Sequence, residues 1–288
     1  MLTIMKRDFR SYFNGMTGYI YVACIVIVTG IYFMAYNLVY GHPYFSMVIN
    51  SIPLIYSVGI PILTMKSFAE ERKTKTDQML LTYPVSVGKI VLGKFLSVMA
   101  VVAIPLLISC ICPLIIMVSG QSHVGEDYAS IFAFFILCAM YVSIGLFVSS
   151  LTENQIISAV ITFVVLMILY LWDSLLDYIP TTAAANFAGI IVIAIIITLL
   201  IYGLTKNRLL TLIVAVVLVG IDVIVFLVAP GIYNGLLRGL LGVFSCTKVL
   251  QNFTTYSVFD VGGLFMFVSI AALFLFLTCQ VIQKRRWS

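Results

Sequence analysis

The chain has 288 residues and a formal net charge of +5, yet only 9% of its residues are charged and 62% are hydrophobic, with a mean hydropathy of +1.17. A soluble domain carries about 25% charged residues, so an ordinary globular protein is excluded. Length alone would allow two soluble domains, but the apolar runs are long enough to cross a bilayer at roughly 20 residues per helix, so residues 1–288 read as one polytopic membrane domain.

In residues 1–16, Leu2, Met5, Phe9, Tyr12 and Phe13 recur at helical spacing, with Lys6, Arg7 and Arg10 on other faces. This favours a helix lying in the inner interface, its basic face toward anionic headgroups; a plain basic anchor fits the same residues. The apolar run that follows is too long for a cleavable signal, and no A-x-A-like site succeeds it. Eight candidate spans then follow, at 18–40, 46–64, 90–118, 130–151, 155–172, 187–204, 209–229 and 261–282. Backbone groups in hydrocarbon must pair within their own segment, and continuous runs exclude the alternating strands of a barrel. The expected fold is therefore an all-α transmembrane helical bundle of six to eight spans. The second span is interrupted by Pro53 and Pro61, and only residues 205–208 part the runs of 187–229, which a six-span version treats as a re-entrant hairpin.

Between the second and third spans lies a polar island, residues 66–88, where Glu70, Glu71, Arg72, Lys73, Lys75 and Asp77 crowd together. It turns amphipathic at Met79, Leu80 and Leu81 and stops at Tyr83-Pro84. With the N-terminus inside, basic residues collect in the cytoplasmic loops, as they do in membrane proteins generally. Of the 16 basic residues, only Arg238 and Lys248 fall outside, and the island lies in the cytoplasm. Residues 231–259, on the outer side, place Leu236, Leu237, Leu240, Leu241 and Phe244 at apolar spacing broken by Gly235, Gly239 and Gly242, too polar downstream for a full span and compatible with an amphipathic surface helix.

Several chemical readings fail on spacing. Gly88 to Phe95 is one residue short of a phosphate-binding loop, has Phe95 where a magnesium-holding hydroxyl is needed, and runs into a span. His42 and His123 have no clustered partner, and no nucleophile or zinc motif occurs. The six cysteines sit in or beside apolar runs; Cys110 and Cys112 share one helix and point to different faces, so neither a disulfide framework nor a zinc site follows. Asn252-Phe253-Thr254 fits the weak glycosylation pattern. Asp222 lies inside 209–229, where a carboxylate costs roughly 2.5–3.5 kcal/mol on insertion scales. It is either an intramembrane proton, cation or substrate site, or a protonated or hydrogen-bonded side chain facing a neighbouring helix.

The run Met65 to Arg72, then Thr76, Leu80 to Ser86 and Gly93-Lys94-Phe95, resembles the type-2 ABC transporter permeases, in particular their gliding-motility and copper-maturation branch. Phe9 to Tyr19, Gly145 to Gln155 (GLFVSSLTENQ) and Gln251 to Asp260 with the terminal Arg285-Arg286-Trp287 agree with that family. The chain departs from it at Lys75-Thr76, where Gly-Thr is frequent, at Asp77 in place of Glu, and in having 187–229 where six spans are common.

The resemblance implies that the island is a coupling helix seated in a cleft of a separate ATPase subunit. Glu70, Glu71 and Arg72 then suit charge-paired docking, Leu80 and Leu81 serve as apolar anchors, and Pro84 ends the helix. Thr76, Asp77 and Thr82 belong to the same coupling motif. An interfacial helix lying on the membrane is the plain alternative for these residues. The resemblance further implies a permease subunit of an exporter in the cytoplasmic (inner) membrane, paired with a second copy or a sister permease. The chain would hold no cofactor and no catalytic site, with ATP and Mg in the partner ATPase, and no nucleic acid among its partners. Two other classes share features with this one. A membrane anchor for an ABC ATPase doing mechanical or regulatory work would keep the island; an ion-driven secondary transporter would use Asp222 and show inverted repeats.

Overall fold

The computed structural model describes residues 1–75, 86–118, 123–206, 208–228 and 230–287. Among them there are helices and no strands. In chain order these are α1 (Leu2–Asn14), α2 (Met16–Phe33) extended by a π-helical turn (Met34–Val39), α3 (Ser46–Ser51), α4 (Pro53–Thr64), α5 (Ala69–Lys73), α6 (Val87–Ser109), α7 (Ile111–Val118), α8 (Val124–Leu151), α9 (Gln155–Tyr170), α10 (Trp172–Asp177), α11 (Ala183–Thr205), α12 (Arg208–Val228), a 3-10 turn (Pro230–Tyr233), α13 (Leu236–Gly242), α14 (Cys246–Thr254) and α15 (Val261–Trp287). Among the described residues, five stretches are long and apolar enough to cross a membrane: Met16–Val39, Val87–Val118, Val124–Leu151, Ala183–Gly203 and Val261–Arg285. The all-α polytopic architecture is thus as expected.

The spans depart from the expected runs at their prolines and ends. The second is two helices, because Pro53 starts α4 at a position where its missing N–H costs nothing. Pro61 lies inside α4, and hydroxyls near it bond back to the chain, Thr64 to the Ile60 carbonyl at 3.1 Å and Ser57 to that of Leu54 at 2.6 Å. The third span breaks at Cys110, between α6 and α7. Pro113 explains the break, since its ring would strike the carbonyl four residues back, that of Ser109. The expectation that Cys110 and Cys112 share one helix is therefore corrected: Cys110 is the residue at the break and Cys112 lies in α7. The fourth span begins at Val124, earlier than expected, and takes in Glu126 and Asp127.

The chain divides into two compact units, Met1–Tyr170 with Cys246–Ser288, and Leu171–Ser245. In the first, α8 is the central helix, packed by α15, α9, α14, α4 and α6. Its apolar residues Phe134, Leu137, Met140 and Tyr141 are buried, and Phe134 meets Tyr56 of α4 edge-on at 4.8 Å. Helix association in a membrane lacks a hydrophobic drive and relies on close packing at small residues. Gly145 supplies this against α4, where an added Cβ would collide with the Thr64 side chain.

In the second unit, α11 packs on α12. Phe187, Phe226 and Tyr233 form an aromatic group, the first two stacked at 4.4 Å. The Asn186 amide donates to the Pro180 and Thr182 carbonyls and accepts from the Leu237 N–H, all within 3.0 Å.

Candidate functional site

The first unit has two chemically distinct ends. At one end meet α1, the segment after α4, the start of α6 and the α8–α9 turn, and nearly all of this unit's basic residues lie there. The other end is formed by residues 36–51, 123–130 and 246–260, which contact one another through Asp127 to Ser46, Ser130 to Phe253 and Ser257 to Glu126.

The segment after α4 is a turn, residues 65–68, followed by the five-residue α5. Its charges follow the helix dipole, with Glu70 and Glu71 in the first turn and Arg72 and Lys73 in the last. Three anchors tie it down. The Phe68 and Ala69 N–H groups, unpaired at a helix start, both donate to the Ser149 hydroxyl of α8, at 3.2 and 3.1 Å. Arg72 pairs with Glu153 of the α8–α9 turn at 2.6 Å and reaches the Ser150 carbonyl at 3.4 Å.

The third anchor is Lys94 of α6, whose side chain is only 2% exposed. Its ammonium lies 2.8 Å from Glu71, 3.3 Å from Asp8 of α1, and donates to the Ser67 carbonyl at 2.7 Å. The Phe68 ring lies beneath it at 5.0 Å. Arg7 of α1 pairs with both Asp8 and Glu71. Two cations and two carboxylates from three helices thus share one partly buried site, and the buried Lys94 is tolerable there because its charge is paired.

Helix α1 packs along α6, crowding Ile4 against Gly93, and so brings Asp8 to Lys94. Tyr12 of α1 is buried and donates its hydroxyl to the Leu63 carbonyl at 2.9 Å. Burial, with the Asp8, Glu70 and Glu71 carboxylates nearby, pushes its phenol well above the ordinary range, so it stays a neutral donor. A cavity of about 490 Å³ opens among Asp8, Tyr12, Lys66, Glu70, Glu71 and Lys94. Glu70 lines it, and its carboxylate makes no hydrogen bond or ion pair among the described residues.

Of the residues singled out in the sequence, Glu70, Glu71 and Arg72 come together here, but the last two are engaged inside the molecule. Thr76, Asp77, Leu80, Leu81, Thr82 and Pro84 lie outside the described residues. Asp8, Lys94, Ser149 and Glu153 were missed as site residues. Lys94 carried a usable signal, a lysine within an apolar span, which demands a partner. The Gly88 to Phe95 stretch lies in helix α6, as the failed phosphate-loop pattern requires.

Elsewhere, His123 stacks on Tyr44 at 4.5 Å and lies 3.6 Å from Glu126. Among the described residues no three His, Cys, Asp or Glu side chains are placed to hold a metal. Asp222 is buried in α12, where its carboxylate accepts from the Tyr233 hydroxyl, while Oδ2 has no partner among the described residues. This is the arrangement of a hydrogen-bonded carboxylate facing a neighbouring element.

No curated protein matches the chain. The family model of the ABC-2 family transporter protein matches residues 44–202, from α3 into α11, leaving α1 and α15 beyond it. Because this stretch is more than half of the 288 residues and contains the anchored polar segment itself, the chain belongs to the ABC-2 transporter family, as a multi-pass permease subunit of an ABC transporter.

Proposed function

We propose that this permease is driven by a separate ATPase subunit that docks at the segment beginning with α5, and that it works as an exporter in the cytoplasmic membrane. In this reading the basic end of the first unit faces the cytoplasm. Two permease chains, identical or sister, enclose the path, and ATP and Mg are bound by the partner. The observation that carries the reading is the triple anchoring of the segment to α8 through Ser149, to the α8–α9 turn through Arg72 and to α6 through Lys94. A push on α5 is thereby delivered to three elements of the bundle at once, as a rigid-body switch between arrangements requires. Glu70, unengaged, is left to meet a basic group of the partner, while the more distal Thr76, Asp77, Leu80, Leu81, Thr82 and Pro84 extend the docking surface.

The test is a pull-down of detergent-solubilised chain at low salt with ATPase activity assayed on the eluate, comparing wild type with Glu70→Arg. Recovery of a separate ATPase by the wild type and its loss with the variant is the expected result. Absence of any ATPase from the wild-type eluate would overturn the reading.

A further inference from the structure

At the end of the first unit remote from its basic cluster, two cavities adjoin through Asn50, which lines both. The wider, about 450 Å³, falls within the roughly 300–1,000 Å³ of small-molecule sites. The smaller, about 140 Å³, continues inward toward Leu137 and Tyr141 of α8. Neither is lined by a charged residue, and in the wider one all residues but Met47 have a hydrogen-bonding side chain.

The walls are firmly built. A π-helical turn, a form frequent at functional sites, places Tyr36 at the rim. Its ring is stacked on Tyr32 at 5.9 Å, as that of Tyr44 is on His123. Asn37 holds the following loop by donating to the His42 and Tyr44 carbonyls, and Asp127 accepts the Ser46 N–H at the start of α3.

The hydrogen-bonding capacity of the lining is only partly used. Ser51, Thr254 and Ser257 donate to acceptors within the molecule, leaving oxygen lone pairs toward the space. Among the described residues, the side chains of Asn50, Gln251, Thr255, Tyr36 and Tyr44 make no hydrogen bond. A ligand suited to this lining both donates and accepts and has no charge. A phosphate or carboxylate would be buried without a cation, and an ammonium without a lining carboxylate, each at a large desolvation cost. Glu126 and Asp127 lie behind the lining, engaged with Ser257 and the Ser46 N–H. Flat tyrosine faces beside side-chain amides and hydroxyls match the apolar faces and hydroxyl edges of a sugar ring.

We propose that these joined cavities bind a neutral carbohydrate, either free or as the headgroup of a membrane lipid. The full-length chain is placed in phosphatidylcholine nanodiscs without any ATPase, so the outcome does not depend on the coupling reading. Retention of a doped neutral diglucosyl diacylglycerol, and separately of free maltose, is measured by native mass spectrometry. Wild type is compared with Asn50→Leu, which removes the shared amide, and with Thr255→Trp, which fills the wider cavity from an exposed position. The expected result is saturable retention of one probe, reduced about tenfold or more in both variants, the loss of one good hydrogen-bonded contact or more. Retention of the glycolipid alone identifies a lipid source, and retention of maltose alone a free sugar. Equal retention by wild type and variants, displacement by phosphatidylglycerol or an oligopeptide, or a space holding only water would each overturn the proposal.

Discussion

Replacing Lys94 with methionine keeps an unbranched side chain of similar length while deleting the charge on which three elements converge. Removing one partner of a buried ion pair costs about 3–5 kcal/mol. Here the stranded carboxylates are partly wet, with Glu71 20% and Asp8 13% exposed, and Glu71 retains Arg7 at 3.1 Å. The cost therefore falls below that range, at about 2–3 kcal/mol. At about 2–4 °C per kcal/mol for a chain of this size, the melting temperature of the purified protein in detergent should drop by about 5–10 °C.

The same pair supplies an internal control. Glu71→Gln alone strands part of the Lys94 charge, but in the double variant neither charge of that pair remains. The double variant should therefore melt higher than the summed single effects require, by a coupling of about 1–2 kcal/mol. Thermal unfolding followed by tyrosine and tryptophan fluorescence reads all four proteins. A Lys94→Met variant within about 1 °C of wild type, or strictly additive effects, would refute the view that this ammonium holds the segment.

Ser149→Ala removes the acceptor of two backbone N–H groups, at about 1–3 kcal/mol, and hydrogen exchange at Phe68 and Ala69 should accelerate while the middle of α8 stays protected. Gly145→Ala drives a methyl into Thr64 and should cost about 1–3 kcal/mol as overpacking. In the same chain Thr64→Gly, which removes the Thr64 Cβ as well as its hydroxyl and methyl, should relieve the clash; Thr64→Ala, which keeps that Cβ at 2.8 Å from the added methyl, should recover only part of the melting temperature. Tyr12→Phe loses one buried donor to the Leu63 carbonyl and should cost about 1 kcal/mol, seen as a smaller melting shift than that of Lys94→Met. Arg72→Gln breaks a pair whose Glu153 partner is 73% exposed, so its stability effect should stay within about 1 kcal/mol.

The span positions were legible because burial in hydrocarbon leaves a continuous apolar run, a signal that needs no partner segment to be read. The helix breaks were legible only in part. Pro53 and Pro61 were visible as interruptions, but the break at Cys110 is set by Pro113, a clash with a carbonyl four residues back that spacing counts do not weigh. The polar island was legible as a cluster of charge, whereas the fate of its charges was not. Glu71 and Arg72 look like a docking surface in the sequence because their counterparts, Lys94 and Glu153, stand 23 and 81 positions further on. Lys94 had been absorbed into a failed phosphate-loop pattern, and Asp8 lay on a helix read for its apolar and basic faces alone. Such pairings are tertiary, and only the packing of α1 along α6 brings them together.

Under the proposed coupling, a shared ion network suits a moving joint better than a single pair would. A lone buried pair resists displacement, because separating it exposes two uncompensated charges to a low dielectric. Lys94 instead faces Glu71 and the Ser67 carbonyl on the segment after α4 and Asp8 on α1, at distances spanning 2.7–3.3 Å. A shift of the segment that lengthens the contact to Glu71 leaves Asp8 on the ammonium, and the half-exposed Arg7, paired with both carboxylates at rest, can follow Glu71 over a short distance. The charges are therefore compensated throughout a small excursion. The anchors through Ser149, by contrast, are directional hydrogen bonds that weaken steeply with angle, and they make the segment's resting position specific. Position is thus set by geometry at α8, while in the proposed coupling the load would be carried electrostatically at α6.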